Sequence, residues 1–95
     1  MDPPVLRLFV SGHSPSSVRA RENLVWLRSH GLPADWSTEV IDVLADPGQA
    51  EQAGILATPT LSYEHAAQSR RIVGDLGDAE RVLHFLGLEA RRQES

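Results

Sequence analysis

One proline in an apolar, β-branched segment constrains this chain more than any other feature. Residues 55–61 read Ile-Leu-Ala-Thr-Pro-Thr-Leu. Pro59 has no N–H to contribute to a sheet ladder, so it marks the start of a strand or an edge position. The Thr58–Pro59 bond is also of the type that folded proteins sometimes hold in the cis form. Taken alone, the segment predicts a trans proline followed by an ordinary strand, and only the neighbouring elements can change that interpretation.

Composition excludes several classes of protein. The 95 residues contain no cysteine, which rules out disulfides, thiolate nucleophiles and cysteine metal sites. The net charge of −4 argues against a general nucleic-acid binder, because such binding depends on cations that neutralise phosphates. No apolar run approaches the roughly 20 residues of a membrane span. We therefore expect one soluble, cytoplasmic domain over residues 1–95, with its core at about 5–88 and a flexible tail at 89–95.

The first half of the chain predicts a strand, a helix and a second strand. Residues 5–10 form a nearly continuous apolar run, which suits a strand buried on both faces. Ser14 and Pro15 are a typical N-cap and first helical residue, and apolar positions at helical spacing continue to His30. A second apolar run lies within 36–44. Because a helix separates the two strands, they should be parallel with a right-handed crossover.

The second half predicts a short helix, two strands and a final helix, at about 47–53, 60–63, 70–73 and 79–86. Asp46 and Asp78 are the expected N-caps of the two helices, and Gly54 is the expected end of the first. The polar segment 64–69 predicts a turn or hairpin loop. Because this loop is short, the two strands it joins should be antiparallel neighbours.

The order β-α-β-α-β-β-α, with a proline at the head of the third strand, is that of a thioredoxin-like α/β fold. By analogy we expect a βαβ-α-ββα domain with a cis bond before Pro59. Thioredoxin redox chemistry needs a cysteine in the turn after the first strand, where this chain has Ser11, Gly12, His13 and Ser14. A serine hydroxyl is too weak an acid to replace the thiolate. The pattern favours a binding domain, and an enzyme that uses a serine or glutathione at this turn stays open.

Three segments carry a family signature. They read Leu-Arg-Leu-Phe-Val-Ser-Gly at 6–12, Val-Ile-Asp-Val-Leu at 40–44 followed by the segment at 55–61, and Arg-Arg-Ile-Val-Gly-Asp-Leu at 70–76. Each is a weak signal alone. Together, in this order and spacing, they resemble the KaiB family of circadian-clock proteins over about residues 5–88. The resemblance implies a thioredoxin-like fold, no catalytic residues and no cofactor.

The resemblance implies protein partners rather than a substrate. KaiB-family proteins bind the KaiC ATPase ring, and in full clocks they help to sequester KaiA and displace the output kinase SasA. The expected partner is therefore a KaiC-type ATPase of a circadian clock or stress-response system, with KaiA or a SasA-like histidine kinase as further candidates. A dimer or tetramer is also in keeping with the family, whereas metal, nucleic acid and membrane are not expected. A sensor or adaptor domain for a histidine kinase stays open.

The last helix departs from the family pattern. Clock members commonly have a glycine and an aspartate where this chain has Phe85 and Gly87. Some members rest in a rearranged ground-state fold and reach the thioredoxin-like form only rarely. Replacing a helix-interior glycine favours helix by up to about 0.5 kcal/mol, and Gly87 suits a position just beyond a helix end. We therefore predict that residues 79–86 are helical and that the chain rests in the thioredoxin-like form.

The resemblance also singles out candidate site residues. Arg19 and Arg71 match basic positions on the family's KaiC-facing surface, and Arg70 adjoins Arg71. Gly54 and Glu39 occupy positions that are usually basic, so they mark where that surface is altered. Since charges at the rim of an interface steer association, we expect these five residues to influence partner binding. Structural roles are expected for another five: Pro59, Gly74, Asp75, Phe85 and Gly87.

Overall fold

A four-stranded mixed sheet and three helices form the described part of the protein, residues 2–88. The computed structural model contains, in order, β1 (Val5–Val10), α1 (Pro15–His30), β2 (Ser37–Asp42), α2 (Pro47–Ala53), β3 (Thr60–His65), β4 (Gln68–Val73) and α3 (Ala79–Phe85). The predicted order βαβ-α-ββα is confirmed. The expected tail at 89–95 lies outside the described residues.

The sheet has the order β2-β1-β3-β4, with β1 and β3 in the centre. β1 is parallel to β2 and antiparallel to β3, and β3 is antiparallel to β4. A central strand covered on both faces needs apolar side chains on both, which explains the apolar run in β1. Leu8 and Phe9 point to opposite faces of β1, and both are almost fully buried. β2 and β4 form the two open edges.

α1 and α3 pack on the same face of the sheet. One contiguous apolar core joins them to the central strands and β4; its buried members include Leu6, Leu8, Val10, Ala20, Leu24, Leu27, Leu61, Tyr63, Ile72, Val82 and Leu86. α2 lies over the opposite face, because the Arg71 guanidinium on that face donates to the Ala53 carbonyl at the end of α2. Helices therefore contact both faces of the sheet.

The proline segment joins three parts of the fold. The Thr58–Pro59 bond is cis, as predicted. The Pro59 carbonyl accepts a hydrogen bond from Gly74 N–H at 3.0 Å, which continues the β3–β4 ladder beyond β4. The Thr58 hydroxyl lies 2.6 Å from the Ser11 hydroxyl, after the end of β1. Pro59 is therefore at a junction of β1, β3 and β4.

The predicted turn or hairpin loop is present, but its bounds of 64–69 are wrong. β3 extends to His65 and β4 begins at Gln68, so the connection is only Ala66 and Ala67. Ala66 takes a positive φ of 57°, as tight hairpin turns require. The polar composition was misleading because β4 is an edge strand, whose exposed side chains can be polar without loss of the ladder. The antiparallel pairing of β3 and β4 is confirmed.

α3 ends in a Schellman motif, which is the double hydrogen bond that closes many helices. Gly87 has a φ of 76°, its N–H donates to the His84 carbonyl at 3.0 Å, and Leu88 N–H donates to the Leu83 carbonyl at 2.8 Å. A glycine adopts this backbone conformation without steric penalty. The prediction of a helix that ends before Gly87 is confirmed, although the helix stops at Phe85.

Candidate partner-binding surface

The two adjacent arginines of β4 point to opposite faces of the strand. The Arg70 guanidinium carbon lies 4.7 Å from the centre of the Tyr63 ring and 5.4 Å from that of Phe85, on the α3 side. The Arg71 guanidinium donates to the Ala53 carbonyl on the α2 side. Both cations are therefore held by neutral groups, an arrangement that positions the charge without cancelling it.

Gly54 lies next to Arg71. It follows α2 with a φ of 71°, and its N–H and that of Ile55 close the helix through the Glu51 and Ala50 carbonyls. A Cβ added to Gly54 would be 3.8 Å from Nη1 of Arg71. The structure thus brings together two of the predicted site positions that are far apart in the sequence.

A groove runs between β4 and α3, on the other face of the sheet from Gly54. We call it the β4 groove; it is lined by Arg71, Ile72, Val73, Arg81, His84 and Phe85. Sequence reasoning missed Arg81 and His84. The available signal was their spacing of three residues, which places both on one face of a helix. Phe85 reaches the core from the same helix, in keeping with its expected structural role.

Arg19 and Asp75 join α1 to the loop that follows β4. Nε of Arg19 lies 2.8 Å from Oδ2 of Asp75, and Asn23 donates to the Asp75 carbonyl at 2.8 Å. The hydrogen bond from Arg19, followed by one from Gly77 N–H, lowers the pKa of Asp75 below its ordinary value of 3.8. Gly74, with a φ of 131°, opens this loop. Arg19 therefore has a structural partner as well as an exposed surface.

Glu39 is not brought to the other candidate residues. It lies on β2, and Nε of Arg7 contacts its Oε1 at 3.0 Å. Arg7 also contacts Glu64 at 3.3 Å. The register places Glu39 and Arg71 in one row across the sheet but at opposite edges. Three strand spacings separate them, or about 14 Å.

The turn after β1 is closed by its own hydrogen bonds. The Ser11 hydroxyl pairs with that of Thr58, and the Ser14 hydroxyl donates to buried Ser17 at 2.9 Å. Asp42 accepts from Gly12 N–H at 2.9 Å and from Leu44 N–H at 3.0 Å. These two bonds, led by the one from Gly12, lower the pKa of Asp42. The turn serines are thus bonded to other hydroxyls rather than to a general base.

The family model for the KaiB domain matches residues 7–88. The chain belongs to the KaiB family. It is 45% identical over 94 residues to circadian clock oscillator protein KaiB of Rippkaea orientalis, across 96% of this chain and 90% of that protein. The KaiB protein of Nostoc sp. is 44% identical over 90 residues, across 95% of this chain and 82% of the relative. The resemblance seen in the three sequence segments is confirmed.

This KaiB-family chain also has the predicted thioredoxin-like fold. The germline-specific thioredoxin Deadhead from Drosophila melanogaster matches it with a TM-score of 0.75 and 13% identity, over 90% of this chain and 80% of the thioredoxin. At that identity the likeness concerns the fold alone. The KaiB-family chain differs from thioredoxins in the chemistry of its β1 turn, which contains no cysteine.

Within residues 2–88, none of the helices has the length and apolar character needed to cross a membrane. In that same range, no cluster of three or more His, Cys, Asp or Glu residues could hold a metal ion. The β4 groove, bordered by Arg71 and Arg81, is the candidate binding surface of this chain.

Proposed function

We propose that this chain is a non-catalytic interaction domain that docks on the ring of a KaiC-type ATPase and modulates its phosphorylation and output. The observation that carries the proposal is the cationic edge of β4 in a chain of the KaiB family. Arg70 and Arg71 are both exposed there, and neutral groups hold them in place. A fixed, uncompensated cation suits recognition of an acidic partner surface.

The proposed docking surface is centred on β4 and extends towards α1. Arg70, Arg71 and Gly54 lie at or beside the strand, and Arg19 adjoins the loop that follows it. Gly54 supplies no charge at a usually basic position, so we expect a lower affinity than a basic residue there would give. Glu39 lies at the opposite edge of the sheet and does not contact the partner. Its negative charge lowers the affinity for an acidic partner by repulsion.

The hydrogen bonds of the β1 turn support a non-catalytic role. A serine nucleophile needs a neighbouring base to activate it. Here the Ser11 and Ser14 hydroxyls bond to the hydroxyls of Thr58 and Ser17. We expect the purified protein neither to reduce disulfides nor to bind glutathione, and either activity would instead support the enzyme alternative.

Other partners follow from the same proposal. A SasA-like histidine kinase would compete for the ATPase ring, and KaiA would be captured by the assembled complex where the organism has it. We place the protein in the cytoplasm with its ATPase partner. A homodimer or homotetramer of the free chain would have to dissociate, or leave β4 open, before docking.

Co-elution with the KaiC homologue of the same organism tests the proposal. The two proteins are mixed at tens of micromolar in ATP and separately in ADP, and then separated by size exclusion. We expect a complex in at least one nucleotide state, and we expect Arg71→Glu to abolish it while circular dichroism shows that the variant remains folded. Absence of a complex in both states would contradict the proposal.

A further inference from the structure

The outer edge of β4 carries backbone groups that point away from the sheet. Gly74 N–H donates to the Pro59 carbonyl, so these two residues form a hydrogen-bonded pair at the end of the ladder. Such pairs alternate with non-bonded pairs along an antiparallel ladder. Counting back along the register, the N–H and C=O groups of Val73, Arg71 and Ser69 therefore point outwards.

Two arginines flank these outward groups, one on each face of the sheet. Arg81 and His84 of α3 line the β4 groove together with Arg71. Among the described residues that line it, none is acidic. Val73 is 57% exposed in the same groove and Phe85 is half-buried, so the groove also offers apolar surface. The edge thus combines backbone pairing groups, cations and an apolar contact.

The aspartates that follow β4 have other partners. Asp75 pairs with Arg19 at 2.8 Å, and Asp78 caps α3 by accepting the Arg81 backbone N–H at 3.2 Å. Neither side chain lines the groove. The positive charge at the groove is therefore retained although the whole chain carries a net charge of −4.

We propose that the β4 groove binds an extended acidic segment of a partner protein, which adds to β4 as a further strand. Main-chain hydrogen bonds to the outward groups of β4 give the affinity, as in other strand-addition complexes. Neighbouring side chains of the segment point to opposite faces, so that one carboxylate faces Arg71 and the next faces Arg81. An apolar side chain on the Arg71 face contacts Val73. The inference rests on the proposed function in taking this groove as the docking surface, and it adds the form and charge of the docking segment.

The charges of the sheet direct the segment to β4 and away from β2. At the β2 edge an incoming carboxylate would meet Glu39, which Arg7 already pairs. A second copy of this chain could offer its own β2 edge to β4. If the protein self-associates through β4, the strand added to β4 comes from a second copy and not from a partner protein. That result would overturn the proposal.

A synthetic peptide tests the inference directly. The probe is a fluorescein-labelled peptide of about ten residues in which pairs of glutamates alternate with pairs of valines, so that both faces of the added strand carry carboxylates and apolar side chains. The control peptide has lysine in place of glutamate. We expect fluorescence anisotropy to show saturable binding of the acidic peptide alone, weakened at least about fivefold in 0.5 M salt because salt screens exposed charges. Hydrogen exchange should slow at the amides of Ser69, Arg71 and Val73.

Two variants separate the backbone contribution from the charge. Val73→Pro removes an outward N–H but keeps every arginine, and an edge strand tolerates proline where the N–H faces solvent. We expect a loss of about tenfold in peptide affinity, against less than about threefold for the control Val73→Thr, which keeps the N–H. Arg81→Glu, at an exposed helix position, should lose about tenfold or more without changing the melting temperature.

Binding to the KaiC homologue is measured in parallel, so that the two proposals can fail separately. Failure of the acidic peptide to bind, or equal binding by Val73→Pro, overturns the strand-addition inference even if the KaiC homologue binds. Peptide binding that requires Val73 N–H supports the inference even if no KaiC complex forms, in which case the proposed function fails. The protein could instead form concentration-dependent dimers that Val73→Pro abolishes, and bind no peptide. This result would overturn the strand-addition inference, because a second copy would then occupy β4.

Discussion

The two edges of the sheet differ in how their charges are satisfied. At the β2 edge, Glu39 pairs with Arg7, and Asp42 accepts two backbone hydrogen bonds where the strand ends. At the β4 edge, Arg70 rests on aromatic rings and Arg71 bonds to a carbonyl. The β2 carboxylates therefore have partners within the fold, whereas the β4 guanidinium groups are held by neutral groups and keep their charge for a partner.

This difference shows why net charge is a poor guide to a binding surface. The chain is acidic overall, yet one edge of its sheet is cationic. Charged residues also discourage an exposed strand from pairing indiscriminately with other edges. Arginine on β4 can serve both purposes, because it repels another copy of the same edge and attracts an acidic segment.

Reversing the charge of the β4 edge should have the largest effect. The double variant Arg71→Glu, Arg81→Glu places two like charges opposite an acidic partner. We expect affinity for the KaiC homologue to fall at least about 100-fold, or about 2.7 kcal/mol, as measured by isothermal titration calorimetry. The control is Arg28→Glu, because the Arg28 guanidinium donates to the Trp36 carbonyl beside β2 rather than lying at β4. It should change affinity less than about threefold. Equal losses in both variants would remove the special role of β4.

Removing the Phe85 ring should destabilise the helix behind the β4 edge. This side chain is half-buried, packs against the core and contacts Arg70. We expect Phe85→Ala to lower the free energy of unfolding by about 2 kcal/mol, below the range for fully buried aromatics. Urea denaturation measures this value, and hydrogen exchange should show the loss concentrated in α3. An unchanged unfolding free energy would contradict the packing role of Phe85.

Neutralising one charge at each edge should change affinity in opposite directions. We expect Arg71→Gln to weaken binding to the KaiC homologue about tenfold, since it removes an attractive charge. Glu39→Gln should strengthen binding by about twofold, because a distant repulsive charge is lost while Arg7 keeps Glu64 as its partner. Both effects should shrink in high salt. A loss of affinity in Glu39→Gln would mean that the partner also contacts β2.

The pH dependence of the free energy of unfolding should show the contribution of Asp42, at the end of β2, and of Asp75, after β4. The pKa values of Asp42 and Asp75 are lowered in the fold, so the folded protein binds fewer protons than the unfolded chain. Their contribution is present above the ordinary value of 3.8 and is lost as the pH falls through the lower folded values. We expect Asp42→Asn and Asp75→Asn to flatten the decline in urea stability between about pH 5 and pH 2. If the decline in stability with falling pH is unchanged in both variants, the proposed contribution of the two carboxylates is contradicted.

Much of the fold could be predicted because local signals and element order agreed. Ser14, Asp46 and Asp78 all accept the hydrogen bonds expected of N-caps. The pairing of β3 with β4 could be predicted from their short connection. The ends of the two strands could not, because a polar edge strand and a polar loop have similar composition. The tight turn at Ala66 contains no glycine or asparagine, so the sequence gives no signal of the positive φ at this residue.

The candidate site was harder to predict than the fold. Family resemblance identified Gly54 and Arg71, but their proximity depends on α2 lying over the sheet face that holds Arg71. Arg81 and His84 were missed, because helical spacing shows that they share a face but not that the face borders β4. The family resemblance assigns Glu39 to the same surface as Gly54 and Arg71. Only the strand order places Glu39 at the other edge of the sheet.

Hydrogen exchange of the complex with the KaiC homologue tests the central claim most directly. It compares the amides of the two edge strands in the free and bound protein under the same conditions. We predict slower exchange at Ser69, Arg71 and Val73, with the β2 amides from Ser37 to Asp42 unchanged. Slower exchange along β2, with β4 unchanged, would contradict the account.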